Sequence, residues 1–225
     1  MIELDKVAYS YGGDALLANV SLRLAPGSFH FLTGPSGAGK TTLLKLLYGA
    51  LVPTSGQVKL FDQDMRTLDR DAVALMRRKV GVVHQDCQFL DHLPLGENVS
   101  LPLTVSGYDV STEEENLTEL MTWAGLTDRI AALPPELSGG ERQRAALARA
   151  VILSPDVVLA DEPTGNVDWE MSQRLLTLLV ELNKMGKTIV IATHDLGLIR
   201  VAKKHVQARV LRIADKQVHL AGADL

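Results

Sequence analysis

Apolar and polar positions follow two different periods along this chain, and the changes of period mark its elements. From Ile2 onward Leu4, Val7, Tyr9 and Tyr11 mostly alternate with polar residues, and Val20, Leu22 and Leu24 do the same before Pro26-Gly27. Both stretches predict half-buried strands. Residues 29–33, 80–83, 157–160 and 188–193 are instead nearly continuous apolar runs, the profile of strands buried on both faces. Between them come helix-period segments at residues 43–47, 71–78 and 145–151, and a helix from about Trp169. A turn at Pro53-Thr54-Ser55-Gly56 leads into a strand at Val58-Lys59-Leu60, and residues 206–213 and 217–220 close the chain as two strands joined near Asp215-Lys216. Buried strands alternating with helices predict an α/β fold with a mainly parallel sheet and its ligand at the carboxyl edge of the strands.

Between Cys87 and Pro135 strand alternation gives way to helical spacing, which predicts a helical insertion. Ser111 to Glu114 reads as a capping box ahead of Leu117, Leu120 and Met121, with Gly125 as the stop. Phe89, Leu90, Leu93, Leu95, Leu101 and Leu103 are more apolar residues than a loop needs. They form a groove for a partner's helix or pack the insertion against itself, and both readings stay open.

The candidate chemistry sits where the periods change. Gly34, Pro35, Ser36, Gly37, Ala38, Gly39, Lys40 and Thr41 lie between an apolar strand and a helix, the pattern of a phosphate-binding loop. Its glycines let backbone N–H groups turn to one centre, and the helix start adds about half a positive charge there. Lys40 can extend beside the outer phosphates, and the Thr41 hydroxyl suits Mg²⁺, a hard ion that prefers oxygen. The strand at 80–83 delivers Gln85, a candidate ligand for Mg²⁺ or for an attacking water. The strand at 157–160 delivers Asp161, a candidate metal anchor, and Glu162, a candidate base for water attacking a γ-phosphate. The strand at 188–193 delivers His194, a candidate donor to that phosphate or water, with Asp195 as cap of the next helix. Ser138 and Glu141 form a second capping box, but two glycines in a first helical turn cost about 1 kcal/mol each against alanine. Ser138, Gly139 and Gly140 therefore read as a second anion site. Tyr11, before Gly12-Gly13, is a candidate to stack on a purine.

Composition narrows the setting. The 225 residues suit one large domain, and a formal net charge of −4 gives no general pull toward nucleic acid or anionic lipid. The start of the chain lacks a signal-peptide pattern, and no segment approaches roughly 18 continuous apolar residues. A cytoplasmic protein is expected, reaching a membrane only through a protein partner. The single cysteine, Cys87, is read as structural.

In this order the phosphate-binding loop, Gln85, Leu137-Ser138-Gly139-Gly140-Glu141, the run ending in Asp161-Glu162, and His194 resemble the motifs of the ABC-transporter ATPases over essentially the whole chain. The resemblance implies one domain, 1–225, with a P-loop NTPase core, an N-terminal antiparallel β-subdomain, and a helical subdomain of about 87–150 inserted in that core. It implies an ATPase using ATP and Mg²⁺ as an ATP-dependent, head-to-tail homodimer. Each nucleotide lies between one copy's Gly34 to Thr42 and the other's Ser138-Gly139-Gly140. By the same resemblance Thr41, Gln85 and Asp161 hold the metal. Tyr11 matches the adenine-stacking aromatic, Gln85 the Q-loop, Glu162 the catalytic carboxylate, Asn166 and Asp168 the D-loop, and His194 the switch histidine. Within the family, residues 31–40 and 160–166 and the early C-terminus look most like the bacterial cell-division ATPases. That likeness implies a place on the cytoplasmic face of the inner membrane, held by an integral membrane partner through which hydrolysis activates periplasmic peptidoglycan hydrolases. ATPases of lipoprotein release or macrolide export share most of these motifs, and a division scaffold with incidental hydrolysis is a further alternative. His84, where an aromatic commonly precedes the Q-loop glutamine, and Val167, where leucine is usual, depart from the pattern.

Overall fold

The computed structural model describes residues 1–165 and 167–221, so Asn166 lies outside the described residues. In chain order the elements are β1 (Ile2–Tyr9), β2 (Leu17–Leu24), β3 (Phe29–Thr33), α1 (Lys40–Leu47), β4 (Ser55–Leu60), β5 (Gln63–Asp64), α2 (Arg70–Arg77), β6 (Val80–Val83), α3 (Leu95–Val105), α4 (Glu114–Trp123), α5 (Gly139–Val151), β7 (Val157–Asp161), α6 (Trp169–Lys184), β8 (Thr188–Ala192), α7 (Leu196–Ala202), β9 (Ala208–Ala214) and β10 (Gln217–Leu220). The alternating strands form an antiparallel sheet in the order β2-β1-β4-β5. The continuous apolar runs form β3, β8, β7 and the edge strand β6 of a second sheet, β10-β9-β3-β8-β7-β6, parallel from β9 to β6, with β10 antiparallel at the other edge.

Strand periodicity divides the second sheet's side chains between two cores. Leu32, Leu159, Val190 and Leu211 face α1 and the first sheet, joining Leu43, Leu44 and Leu47 with Ile2, Leu4 and Val58. Phe29, Phe31, Val158, Ile189, Ile191 and Val210 face the other way, against Leu175 and Leu179 of α6 and Leu198 of α7. A third core packs Leu95 and Val99 of α3 and Leu117 and Met121 of α4 against Ala145 and Ala148 of α5. Among the described residues no helix is long and apolar enough to cross a membrane.

Several boundaries differ from the expected ones for local reasons. β1 stops at Tyr9 rather than Tyr11 because the Ser10 hydroxyl gathers the N–H groups of Gly12 and Gly13 and donates to the Gly13 carbonyl, closing a turn. Ser55 and Gly56, expected in a turn, already belong to β4. The two-residue β5 was not expected, since a strand that short shows no period. Ser111 does not cap α4: the Asp109 carboxylate accepts both its N–H and its hydroxyl and starts a 3-10 turn, Val110–Glu113, so α4 begins at Glu114 without a side-chain cap. Gly125 does stop α4, at φ 65°. Its N–H donates to Thr122 and that of Leu126 to Met121, a Schellman closure.

Candidate functional site

A cleft of about 640 Å³ opens at the carboxyl ends of β3, β6, β7 and β8. Its floor is the loop between β3 and α1, which must turn too sharply for residues with a Cβ. Gly39 caps α1 at φ 103°, and a Cβ there would stand 3.2 Å from Leu17 Cδ2. Gly34, at φ 153°, would place a Cβ 3.0 Å from the Ile213 carbonyl oxygen. Gly34, Pro35, Ser36, Gly37, Gly39, Lys40, Thr41 and Thr42 all line the cleft. Ala38 is the exception, packing against the core beneath the loop. Lys40 Nζ donates to the carbonyls of Gly34 at 3.0 Å and Pro35 at 3.3 Å.

The three polar strand ends meet this loop. Glu162 Oε1 stands 3.7 Å from Lys40 Nζ, both side chains about nine-tenths buried, and Glu162 Oε2 lies 3.0 Å from His194 Nδ1. Glu162 follows β7 at φ 47°, a left-handed conformation costing about 1–2 kcal/mol in a residue with a Cβ. Its N–H is held by the Ala192 carbonyl at 2.9 Å and its carbonyl by Gly165 N–H at 3.1 Å, and these bonds hold the strained turn in place. Asp161 is buried, and its Oδ1 has no hydrogen-bond partner among the described residues. Gln85 lines the same cleft and its carbonyl accepts from Gln143 Nε2 of α5 at 3.3 Å. Asp195 caps α7 by accepting from Leu198 N–H.

Other singled-out residues stand apart from the cleft lining. Tyr11 is exposed, its ring edge-on to Tyr9 at 4.9 Å and its hydroxyl 3.2 Å from Thr42 Oγ1. Ser138 closes the expected capping box with Glu141 at the start of α5. A Cβ on Gly140 would meet Met171 Cγ at 2.8 Å, so tight packing of α5 on α6 is one use of that glycine that the sequence did not reveal. Asp168 caps α6, its carboxylate accepting from Met171 N–H at 2.8 Å. Leu16 also lines the cleft, an apolar residue in a loop that nothing in the sequence pattern distinguishes.

Behind Gln85 the chain takes two consecutive left-handed residues, Cys87 at φ 59° and Gln88 at φ 47°. Arg149 of α5 donates to both their carbonyls, at 2.8 Å for Gln88, and its guanidinium lies 4.6 Å from the centre of the Phe89 ring. Burial lowers the pKa of Arg149 and raises that of the Cys87 thiol. Arg149 also lines a second groove, about 500 Å³, with His84, Leu101, Pro102 and Val105. Of the apolar cluster, Leu95 packs the insertion's own interior, Leu103 is buried, and Leu101 lines this groove. Burial, followed by the charge of Arg149, lowers the pKa of His84 beside it.

The family model described as ABC transporter matches residues 17–165. The chain is similar to the cell division ATP-binding proteins FtsE of Bacillus subtilis, at 39% identity over 92% of each chain, and of Escherichia coli, at 38% identity over 97% of each. It is also similar to a solved ATP-binding cassette described as a dimeric post-hydrolysis state bound to ADP and Pi, with a TM-score of 0.86 and 34% identity over 97% of each chain.

Proposed function

This chain belongs to the ABC transporter ATP-binding family, and from that premise we propose that it is the ATP-hydrolysing subunit of a cell-division membrane complex of the FtsE–FtsX type. It is an ATPase. In the proposal its turnover drives an integral membrane partner, FtsX, which regulates periplasmic peptidoglycan hydrolases, and the chain sits on the cytoplasmic face of the inner membrane through that partner. The convergence of Gln85, Asp161, Glu162 and His194 on the phosphate-binding loop supports the hydrolysis, and the 38–39% identity to FtsE proteins over most of each chain is the observation that carries the cell-division reading.

In the proposed mechanism Lys40 leaves the carbonyls of its own loop for the outer phosphates, whose charge it matches better than a neutral carbonyl does. Glu162 takes the proton of the water that attacks the γ-phosphate, and His194, held through Nδ1, steadies the carboxylate and the departing phosphate. The residues fit Mg²⁺: a buried, unpartnered Asp161 oxygen lies with the Thr41 hydroxyl and Gln85 on one cleft. Mg²⁺ held there by Asp161, Thr41 and Gln85 would neutralise phosphate charge.

Tyr11 is proposed to stack on adenine once its hydroxyl leaves Thr42. Ser138, Gly139 and Gly140 lie outside the cleft lining; a second copy facing head-to-tail supplies them in the proposal. The helical segment of about 87–150 then carries that signature, with Asp168 beside the facing site. The groove at Leu101, Pro102 and Val105 is proposed as the partner's seat. The test is a pull-down of the tagged chain from solubilised membranes. Co-purification of a small integral membrane protein, lost on Leu101→Asp, supports the reading. A partner with more than four spans or a lipoprotein-binding periplasmic domain replaces it with an exporter or lipoprotein-release role. Normal division with a hydrolysis-dead variant replaces it with a scaffold.

A further inference from the structure

Apart from the cleft, and sharing no lining residue with it, a smaller hollow of about 190 Å³ lies where β2 of the first sheet meets β3, β9 and β10 of the second. Ser21, Arg23, His30, Arg209, Val218 and Leu220 line it, and no carboxylate does among the described residues. His30 is the anomaly. Strand periodicity puts it on the face of β3 shared with Leu32, where the neighbouring strands present apolar residues to the first sheet, and it is 2% exposed.

The hydrogen bonds around His30 fix its tautomer. The Ser28 hydroxyl donates to the Ala25 carbonyl at 2.6 Å, so its oxygen is left to accept from His30 Nε2–H at 2.9 Å. Nδ1 is therefore a bare acceptor, and it has no partner among the described residues. Burial, assisted by the nearby Arg209, lowers the pKa of His30 to about 4, so the ring is neutral at pH 7. Arg209 pairs with His30 across the parallel register and makes no ion pair among the described residues, while Arg23 is held by Glu3 at 3.1 Å. The hollow thus combines one orphaned acceptor with two guanidiniums. A bare anion would satisfy the arginines and leave Nδ1 unpaired; a neutral hydroxyl would do the reverse.

We propose that this hollow binds a small oxyanion that carries its own hydroxyl, with hydrogen phosphate the simplest member. The hydroxyl donates to His30 Nδ1 and the remaining oxygens accept from Arg209 and Arg23. Nδ1 is closed to solvent, so entry requires rotation of lining side chains; Arg209 and Leu220 are exposed, and Arg23 would share its guanidinium between Glu3 and the ligand. The inference stands apart from the nucleotide reading, since no residue of the cleft takes part.

The test follows the two ring nitrogens of His30 by NMR during titration with inorganic phosphate, in excess ADP so that the loop at Lys40 is filled. Phosphate is expected to move the Nδ1 resonance saturably. Sulfate, of similar size but without a proton at pH 7, is expected to bind about tenfold more weakly, the worth of about 1.4 kcal/mol. Arg209→Ala, an exposed substitution, is expected to weaken phosphate at least about tenfold while leaving ATP turnover unchanged. Tighter binding of glycerol 3-phosphate than of phosphate identifies an ester as the ligand, and the reverse order identifies free phosphate. The proposal is overturned by a His30 resonance indifferent to phosphate, which leaves only a water on Nδ1, by an equal response to sulfate, or by an unchanged response in Arg209→Ala.

Discussion

Replacing Glu162 by glutamine separates two jobs that its carboxylate holds at once. The carboxylate lies 3.7 Å from Lys40 Nζ, with both side chains largely buried. At an effective dielectric constant of about 20 this pair attracts by roughly 4 kcal/mol before desolvation is counted. A phosphate entering the loop must draw Lys40 away from that attraction and then lie near the same negative charge. Glu162→Gln keeps the shape and removes both penalties. A quarter to a half of the gross attraction is a reasonable net, so ATP should bind about five- to thirtyfold more tightly. Chemistry moves the other way: loss of a general base should lower kcat by about 10²- to 10⁴-fold. The assay pairs calorimetric ATP binding with single-turnover phosphate release on the purified chain, and ATP-bound dimer should accumulate. Lys40→Ala is the control, because it breaks the same ion pair yet should weaken ATP. Turnover within about threefold of the parent would refute the role of Glu162 as base. Weaker ATP binding by the glutamine variant would refute the argument from the Lys40 contact.

Three further outcomes follow from particular contacts. Arg149→Ala strips the donor from two left-handed residues behind Gln85, so kcat should fall about tenfold with little change in ATP affinity and unfolding free energy should drop about 2–3 kcal/mol in a urea titration. Arg149→Lys should not restore either, since an ammonium lacks the planar fork that spans two carbonyls and stacks on Phe89. His30 ordinarily titrates at 6.5 but at about 4 in the fold, so the unfolded chain binds the extra proton first as pH falls; stability should be full above about pH 6.5 and decline by about 3 kcal/mol toward pH 4, a slope that His30→Phe should reduce in thermal melts. Gly140→Ala gains about 1 kcal/mol of helix propensity but drives its Cβ into the Met171 side chain, so the net loss should be at most about 2 kcal/mol in a urea titration, and Met171→Ala should turn it into a gain in the double variant.

Much of the architecture was legible in local pattern. The strand at Val80–Val83 and the Ser138–Glu141 cap appear where spacing placed them, because each depends on residues within a few positions of one another. Ser111 shows the limit of that reasoning: its capping box was literal, but Asp109, two residues earlier, took the Ser111 N–H that the box needs and turned the Ser111 hydroxyl toward itself as a donor. The candidate site was legible as separate polar residues at strand ends, and Leu16 was not, since an apolar side chain in a loop carries no local sign of what it will touch.

By itself the sequence determined the two strand classes, the phosphate-binding loop and the identity of the polar residue after each buried strand. These rest on period and on hydrogen bonds to near neighbours. Only the tertiary structure decided that Glu162 meets both Lys40 and His194, because the strand order β9-β3-β8-β7-β6 inserts β8 between β7, its predecessor in sequence, and the distant β3, and no local term encodes that order. The same is true of His30. Its position in an apolar run is plain in the sequence, but its unpaired nitrogen exists only because parallel pairing sets it beside Arg209 and Ser28 takes its other nitrogen.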